Sequence, residues 1–464
     1  MPRVLPMSPE ARRWLLIIGG ICVAAMAWRV YFIFEWRRDA RVWGDALYYH
    51  RGGQLLADGY GFINPIRFDQ DGLIQQAADH PPVYLLYLAF FSLLGFTSPT
   101  GHMIATGFIG LGSIVLAAAI GRRLAGERVG VIAALLVAFY PNIFSWEGMI
   151  LSEPTALFGV LLTAWLAYRF VDRPSLLNAV YLGLAVGVAT LSRAELLLLS
   201  VLVVVPLILR RSGARPWRER FAWLAVSGAA CLTLLAPWVA FNVNRFEEPV
   251  YLSSGFEITL ASVSCPITYY GHFTGYWSLQ CVIDYLDEAG LTPLNSDEST
   301  RGDLLQREAT EYIGENLDRL PVVIAARWGR ALGVWDFNGS INLDNYDAGR
   351  PYWVAWTGAV SFLALVPLAV TGALSLRRRG WPVYPLAASF VIVWITATIT
   401  FGQPRYRSIA EGSLCILAAI GIDAIWRAVR NRTAGPATTE PRPDTAEEAP
   451  IPASASSSST APAP

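Results

Sequence analysis

The sequence predicts an all-α bundle that crosses a membrane about ten times. Hydrophobic residues make up 54% of its 464 positions and charged residues only 16%, and the mean hydropathy is +0.40. Its apolar runs of about 17 to 23 residues match the ~20 needed to cross a hydrocarbon core of ~30 Å. Arginine clusters separate many of these runs, as positive charge does on the cytoplasmic side of membrane proteins.

The apolar runs, in order, are 14–34, 83–96, 103–120, 129–145, 154–171, 177–191, 196–209, 221–241, 353–376, 382–400 and 409–425. The first follows Arg3, Arg12 and Arg13, as in a signal peptide. No small-residue cleavage site follows, so it reads as a retained anchor. If all these runs cross, Arg122-Arg123 falls outside and the positive-inside pattern fails repeatedly. Treating 83–96, which is short and interrupted by Tyr84 and Tyr87, as a juxtamembrane or re-entrant helix repairs the pattern. Both termini are then cytoplasmic, and the outer side receives 35–82, 146–153, 192–195, the long loop 242–351 and 401–407. Residues 1–426 read as one membrane domain.

Within the long outer loop, 304–316 is amphipathic at helical spacing. The stretch 320–335 is apolar but carries Arg327 and Arg330, which predicts a helix along the membrane surface. Residues 427–464, rich in Ala, Pro, Ser and Thr, read as a disordered cytoplasmic tail.

Composition excludes several chemistries. The 36 basic residues are all arginine and balance 36 acidic ones. With no lysine, Schiff-base chemistry and a P-loop lysine are ruled out, and the zero net charge gives no footprint for nucleic acid. Phosphate recognition must then use guanidinium groups. Cys22, Cys231 and Cys415 lie in apolar runs, whereas Cys265 and Cys281 share the long outer loop, where spacing leaves a disulfide open. No cysteine spacing suits zinc, no cofactor is implied, and a divalent metal has no support.

Candidate chemistry collects on the outer side. Asp45 follows Gly44 and precedes Tyr48 and Tyr49, where it reads equally as a helix N-cap or a proton acceptor. Glu153 opens a later helix, with Ser152 the better cap. His80, in Asp79-His80-Pro81-Pro82, is held rigidly at a helix start, a position more often structural than catalytic. Arg193 and Glu195, two apart, do not face each other on a helix, and snorkelling accounts equally well for Arg193. Arg405-Tyr406-Arg407 puts positive charge on the outer side, against the topology rule, so a lipid phosphate is its natural partner. The plainer role for those arginines is an anchor in bulk phospholipid.

Taken together, these pieces resemble the GT-C glycosyltransferases. The motifs are an acid in the first outer loop, His80-Pro81-Pro82-Val83-Tyr84, Ser152-Glu153-Pro154, the turn from Ser192 to Leu197, and Pro404-Arg405-Tyr406-Arg407. More narrowly they resemble bacterial relatives of the protein O-mannosyltransferases and of the lipid A aminoarabinose transferase, over residues 14–426. The resemblance implies a GT-C-like bundle with juxtamembrane helices in its first outer loop and a small extracytoplasmic loop region. It also implies transfer of a sugar from a polyprenyl-phosphate donor to a lipid, glycan or protein acceptor outside the plasma (inner) membrane, generally with inversion. It assigns Asp45 as base, Glu153 as second acid, and Arg405 and Arg407 to the carrier phosphate. Tyr49, His80, Arg193 and Tyr406 then bind substrate. Ala46 follows Asp45 where many relatives carry a second acid, which argues against a paired-carboxylate or metal role. The rival readings are a lipid or polysaccharide transporter, disfavoured because no halves repeat and polar groups cluster at one face, and a non-catalytic member of the same fold.

Overall fold

The computed structural model describes residues 8–211 and 215–433. Residues 427–433 of the expected disordered tail instead continue the helix Ser408–Thr433, and the rest of it lies outside the described residues. Helices account for the regular structure, and the one β feature among the described residues is an isolated bridge between Ile63 and Gln76.

Among the described residues, six helical stretches are long and apolar enough to cross a membrane: Pro9–Arg37, Pro99–Ala125, Glu153–Asp172, Trp217–Val243, Tyr352–Arg378 and Pro404–Thr433. Glu127–Phe139 and Pro141–Glu147 form a seventh if counted as one span bent by 53°. The bend falls at Tyr140, held extended by the proline after it. Leu176–Thr190 and Tyr384–Ile399 are apolar but shorter, about 23 Å long at 1.5 Å per residue. The run 196–209 is broken into a 3₁₀ turn, a π turn and the helix Val205–Arg211. The chain is a multi-pass membrane protein, and the ten long apolar runs expected to cross are all helical, though unequal in length.

The run 83–96, expected to stay on the outer side, forms one short helix. Its helix is Val83–Leu93, about 16 Å long and too short to cross. It packs instead on Asp45–Ala57, where Gly52 and Gly53 allow close approach. A Cβ on Gly53 would stand 2.8 Å from Leu88 Cβ.

The bundle is drawn together by small residues and buried ion pairs. Gly121 and Gly130 let Pro99–Ala125 and Glu127–Phe139 touch backbone to backbone. Glu147, on the short segment expected outside, is buried and paired with Arg29 of the first span. Arg350 is buried with Asp344 at 2.8 Å and also bonds Asn142 and Ser145. Such pairs need each other, because a lone charge at these positions would be costly.

The region 242–351 is mostly helical, with Gly255–Ser262, Leu279–Glu288 and Glu298–Glu315 meeting around Leu260, Val282, Leu305 and Ala309. The amphipathic stretch 304–316 therefore lies in a real helix, with its apolar face turned inward. A disulfide joins Cys265 and Cys281, whose Cα atoms are 5.9 Å apart. The stretch expected to lie along the membrane surface forms helix Leu320–Leu332. Its Arg327 and Arg330 are buried, donating to the carbonyls of Thr398, Val263, Thr274 and His272.

Candidate active site

Four chain segments converge on one cavity of about 570 Å³. The first is the start of Asp45–Ala57. Gly44 is its N-cap, with φ 56° and ψ −136°, a conformation suited to glycine, and no side chain caps the helix. Asp45 is thus the first helical residue, and its carboxylate turns to the cavity instead of capping.

The second segment is Asp79-His80-Pro81-Pro82. Val83 N donates to Leu191 O at 3.0 Å, which ties it to the third segment, the turn from Ser192 to Glu195. His80 stacks on Tyr49 at 4.7 Å and meets the edge of Tyr48 at 5.2 Å, a fit that orients its ring. His80 Nε2 stands 3.7 Å from Asp45 Oδ1.

The fourth segment is the 3₁₀ turn Pro404–Arg407. Arg405 Nη2 donates to Asp45 Oδ2 at 2.7 Å and Nε to Glu153 Oε1 at 2.5 Å. Arg193 Nη1 reaches the same Glu153 oxygen at 3.0 Å, and its Nε reaches Glu195 at 2.6 Å. Arg193 and Glu195 face each other after all, because Arg193 is extended, with φ −154° and ψ 124°, ahead of a 3₁₀ turn and not on an α-helix. The Arg193 guanidinium also lies 5.2 Å from the centre of the Tyr406 ring.

Glu153 is almost completely buried, and its Oε2 has no hydrogen-bond partner among the described residues. It holds two arginines from behind the cavity wall. Ser152, expected to cap this helix, does not; its carbonyl instead accepts from Thr155 Oγ1 at 2.6 Å.

Arg407 is not brought to the cavity. In a turn of three residues, positions two apart point in different directions, and Arg407 faces into the bundle. There it donates to Glu411 Oε1 and to Ala331 O, each at 2.7 Å, and lies over the Phe362 ring. Its place is structural, correcting the expected role beside Arg405.

The electrostatics separate the acids. Burial pushes the Asp45 carboxyl up, but the Arg405 charge and His80 more than reverse this and hold it far below the usual carboxylate range. Asp79 goes the other way, raised by burial and then by Asp45 despite the opposing pull of His80. Glu298, from the distant helix Glu298–Glu315, is pushed up to about 8 by burial and by Asp79. It accepts from Ala78 N at 3.0 Å and from Ser254 Oγ. The cavity therefore offers one carboxylate kept charged by arginine, with a second acid nearby that retains protons more readily.

Asp79 and Glu298 have no role in the sequence reading, and Glu195 enters it only as a residue that does not face Arg193. Asp79 adjoins a residue that was chosen, but Glu298 lies over two hundred residues away in the chain and has no motif of its own. No group of three or more His, Cys, Asp or Glu suited to a metal occurs among the described residues.

Comparison with known proteins agrees with this architecture. Residues 79–241 match the family described as dolichyl-phosphate-mannose-protein mannosyltransferase. The archaeal oligosaccharyltransferase AglB from Archaeoglobus fulgidus, solved with an inhibitory peptide and a dolichol-phosphate, aligns at 12% identity and a TM-score of 0.52. That alignment covers 92% of this chain and 52% of the other, so this chain spans about half the length of that protein. The Archaeoglobus fulgidus oligosaccharyltransferase in its apo form aligns at 11% identity with a TM-score of 0.51, covering 90% of this chain and 52% of that one. No curated protein matches the chain. Over residues 79–241 the chain is thus similar to the dolichyl-phosphate-mannose-protein mannosyltransferases, the group its motifs resemble, and its helical membrane fold is like that of the archaeal oligosaccharyltransferase.

Proposed function

We propose that this protein transfers a sugar from a polyprenyl-phosphate donor to an acceptor on the extracytoplasmic face of the plasma membrane. The observation carrying this reading is the cavity, where Asp45, His80, Arg193 and Arg405 meet beside an apolar wall that includes Ile395, Ile399 and Phe256. A lipid-linked donor needs that combination, an apolar path for its tail and fixed charge at its head. The reaction is an inverting displacement at the anomeric carbon. The acceptor oxygen forms the new glycosidic bond, the bond to the carrier phosphate breaks, and the acceptor hydroxyl gives up its proton.

Asp45 is the group placed to receive that hydroxyl as a hydrogen-bond acceptor and then as base. Its proton affinity is low while Arg405 holds it, and rises as negative charge develops on the departing phosphate in the same cavity. Glu153 serves as a positioning residue, holding Arg193 and Arg405 in register. Tyr49 orients His80, and Tyr406 gives Arg193 a face to rest on. Preorganised charge of this kind, in a poorly hydrated site, supplies much of the barrier lowering in comparable chemistry.

The test is turnover by purified protein supplied with polyprenyl-phosphate sugars, followed as release of the polyprenyl phosphate. Asp45→Asn keeps the size of the side chain but cannot accept a proton, and should lose about a hundredfold or more of the rate. Ordinary turnover by that variant would reduce Asp45 to an ion-pair partner. No turnover by the wild type with any such donor would remove the reading itself.

A further inference from the structure

The charge-bearing cluster at the cavity is already satisfied within itself. Arg193 and Arg405 are met by Asp45, Glu153 and Glu195, two guanidinium groups against three carboxylates. An incoming phosphate finds no surplus positive charge there, and Arg407, the other arginine of that turn, is engaged elsewhere by Glu411.

Surplus positive charge sits on another edge. Arg37 ends the first apolar helical stretch and Arg41 follows in the loop before Gly44, and both line the same cavity. Arg37 is buried, with only 4% of it exposed. Its Nε donates to Gly148 O at 3.1 Å and its Nη1 to Gly349 O. Both partners are neutral carbonyls, and among the described residues no carboxylate pairs with Arg37. Burying an uncompensated charge is costly, and an anion arriving beside it offsets that cost. Arg41 is exposed to the cavity and also has no anionic partner among the described residues. The next arginine, Arg38, points elsewhere, 62% exposed beside Asp39 at 3.8 Å.

We propose that Arg37 and Arg41 form the anion-binding edge of this cavity and take the phosphate of a phosphorylated isoprenoid. Arg37 supplies fixed charge, its planar group locked by two carbonyls. Arg41 supplies free donors whose fork geometry suits phosphate oxygens. Arg405 keeps its place between the acids. The inference rests on the reading of the chain as a lipid-phosphate-dependent transferase and deepens it by placing the head group.

The experiment measures binding of radiolabelled farnesyl phosphate and of farnesol to the purified full-length protein in detergent, with inorganic phosphate as competitor. The wild type should prefer farnesyl phosphate over farnesol. Arg41→Gln should lose about tenfold or more of that preference, as expected for a charge-assisted contact, with farnesol binding unchanged. Arg41→Lys should recover part of it, and Arg38→Gln, at an exposed arginine outside the cavity lining, should leave it intact. Because Arg37 also ties two backbone segments together, Arg37→Lys, which keeps the charge, is the variant used there, and a smaller loss is expected. Undiminished preference in Arg41→Gln, or an equal loss in Arg38→Gln, overturns the assignment while leaving the transferase reading in place. A wild type that does not distinguish the phosphate from the alcohol overturns both. Inorganic phosphate competing only at large excess marks a lipid phosphate as the ligand. Equal affinity for inorganic phosphate marks a free-phosphate site and overturns the isoprenoid part of the proposal.

Discussion

Asp45 and Asp79 sit at one cavity and are driven in opposite directions, because only Asp45 is gripped by a guanidinium. Asp79 is instead raised by burial and by the Asp45 charge, and in turn makes Glu298 harder to ionise. This has a measurable consequence. Burial first, and Asp79 second, push Glu298 from an ordinary value of 4.5 up to about 8. Between those values the folded chain keeps a proton that the unfolded chain has released. Stability from this group is therefore intact at acid pH and declines as pH rises through that window, by at most about 1.4 kcal/mol per pH unit. Glu298→Gln retains an oxygen for Ala78 N and Ser254 Oγ but has nothing to ionise. Thermal unfolding in detergent should show the wild type losing melting temperature between pH 5 and pH 8 and the variant losing much less. An equal loss in both would show that Glu298 is already ionised at low pH in the folded chain.

At the scale of elements, the cavity depends on turns that hold backbone against backbone. Gly402, just before the 3₁₀ turn carrying Arg405, lies against helix Leu320–Leu332; a Cβ there would fall 1.9 Å from Arg327 O. Its own N–H donates to Gly275 O at 3.1 Å. Gly402→Ala must displace main chain, so it should cost about 1–3 kcal/mol or more and pull Arg405 away from Asp45 and Glu153. Gly228, inside Trp217–Val243, has nothing within 4 Å of its Cβ position. Gly228→Ala should be neutral or stabilise by up to about 1 kcal/mol. Paired melting curves and donor turnover for the two variants check this, and comparable behaviour would mean that the contact at Gly402 yields without cost. The helices that pass close together, and the bend after Phe139, are predictable only in part from sequence. Tyr140-Pro141 announces a break, but the 53° angle depends on what the next segment packs against.

For the whole molecule, the sequence reading leads to ten crossings with both ends cytoplasmic, which requires 83–96 to stay on the outer side. A helix Val83–Leu93 of about 16 Å is consistent with that requirement. In a cysteine-depleted background, Thr100→Cys, at the start of Pro99–Ala125, should react with an impermeant thiol reagent from outside the cell. Protection there, with labelling near Arg123, would invert the arrangement and move the cavity to the cytoplasmic side.

The sequence by itself determined the class of protein and the identity of most groups at the cavity. An apolar run long enough to be a membrane helix is a local property, and so is a glycine followed by an acid or a pair of prolines after a histidine. Asp45, Tyr49, His80, Arg193, Arg405 and Tyr406 all carry such local signatures, and the structure brings them to one cavity with Glu153 just behind its wall. Which arginine faces which acid was not determined in this way. Arg405 and Arg407 are equivalent by composition, and only the 3₁₀ turn sends one to Glu153 and the other to Glu411. Arg193 and Glu195 meet because the turn is not α-helical, and Glu298 reaches Ala78 from across the long loop. Arg37 acquires its buried, uncompensated charge only when residues 148 and 349 close around it. Pairing of charges depends on distances of a few ångströms between segments far apart in the chain, and those distances exist only once the helices have packed.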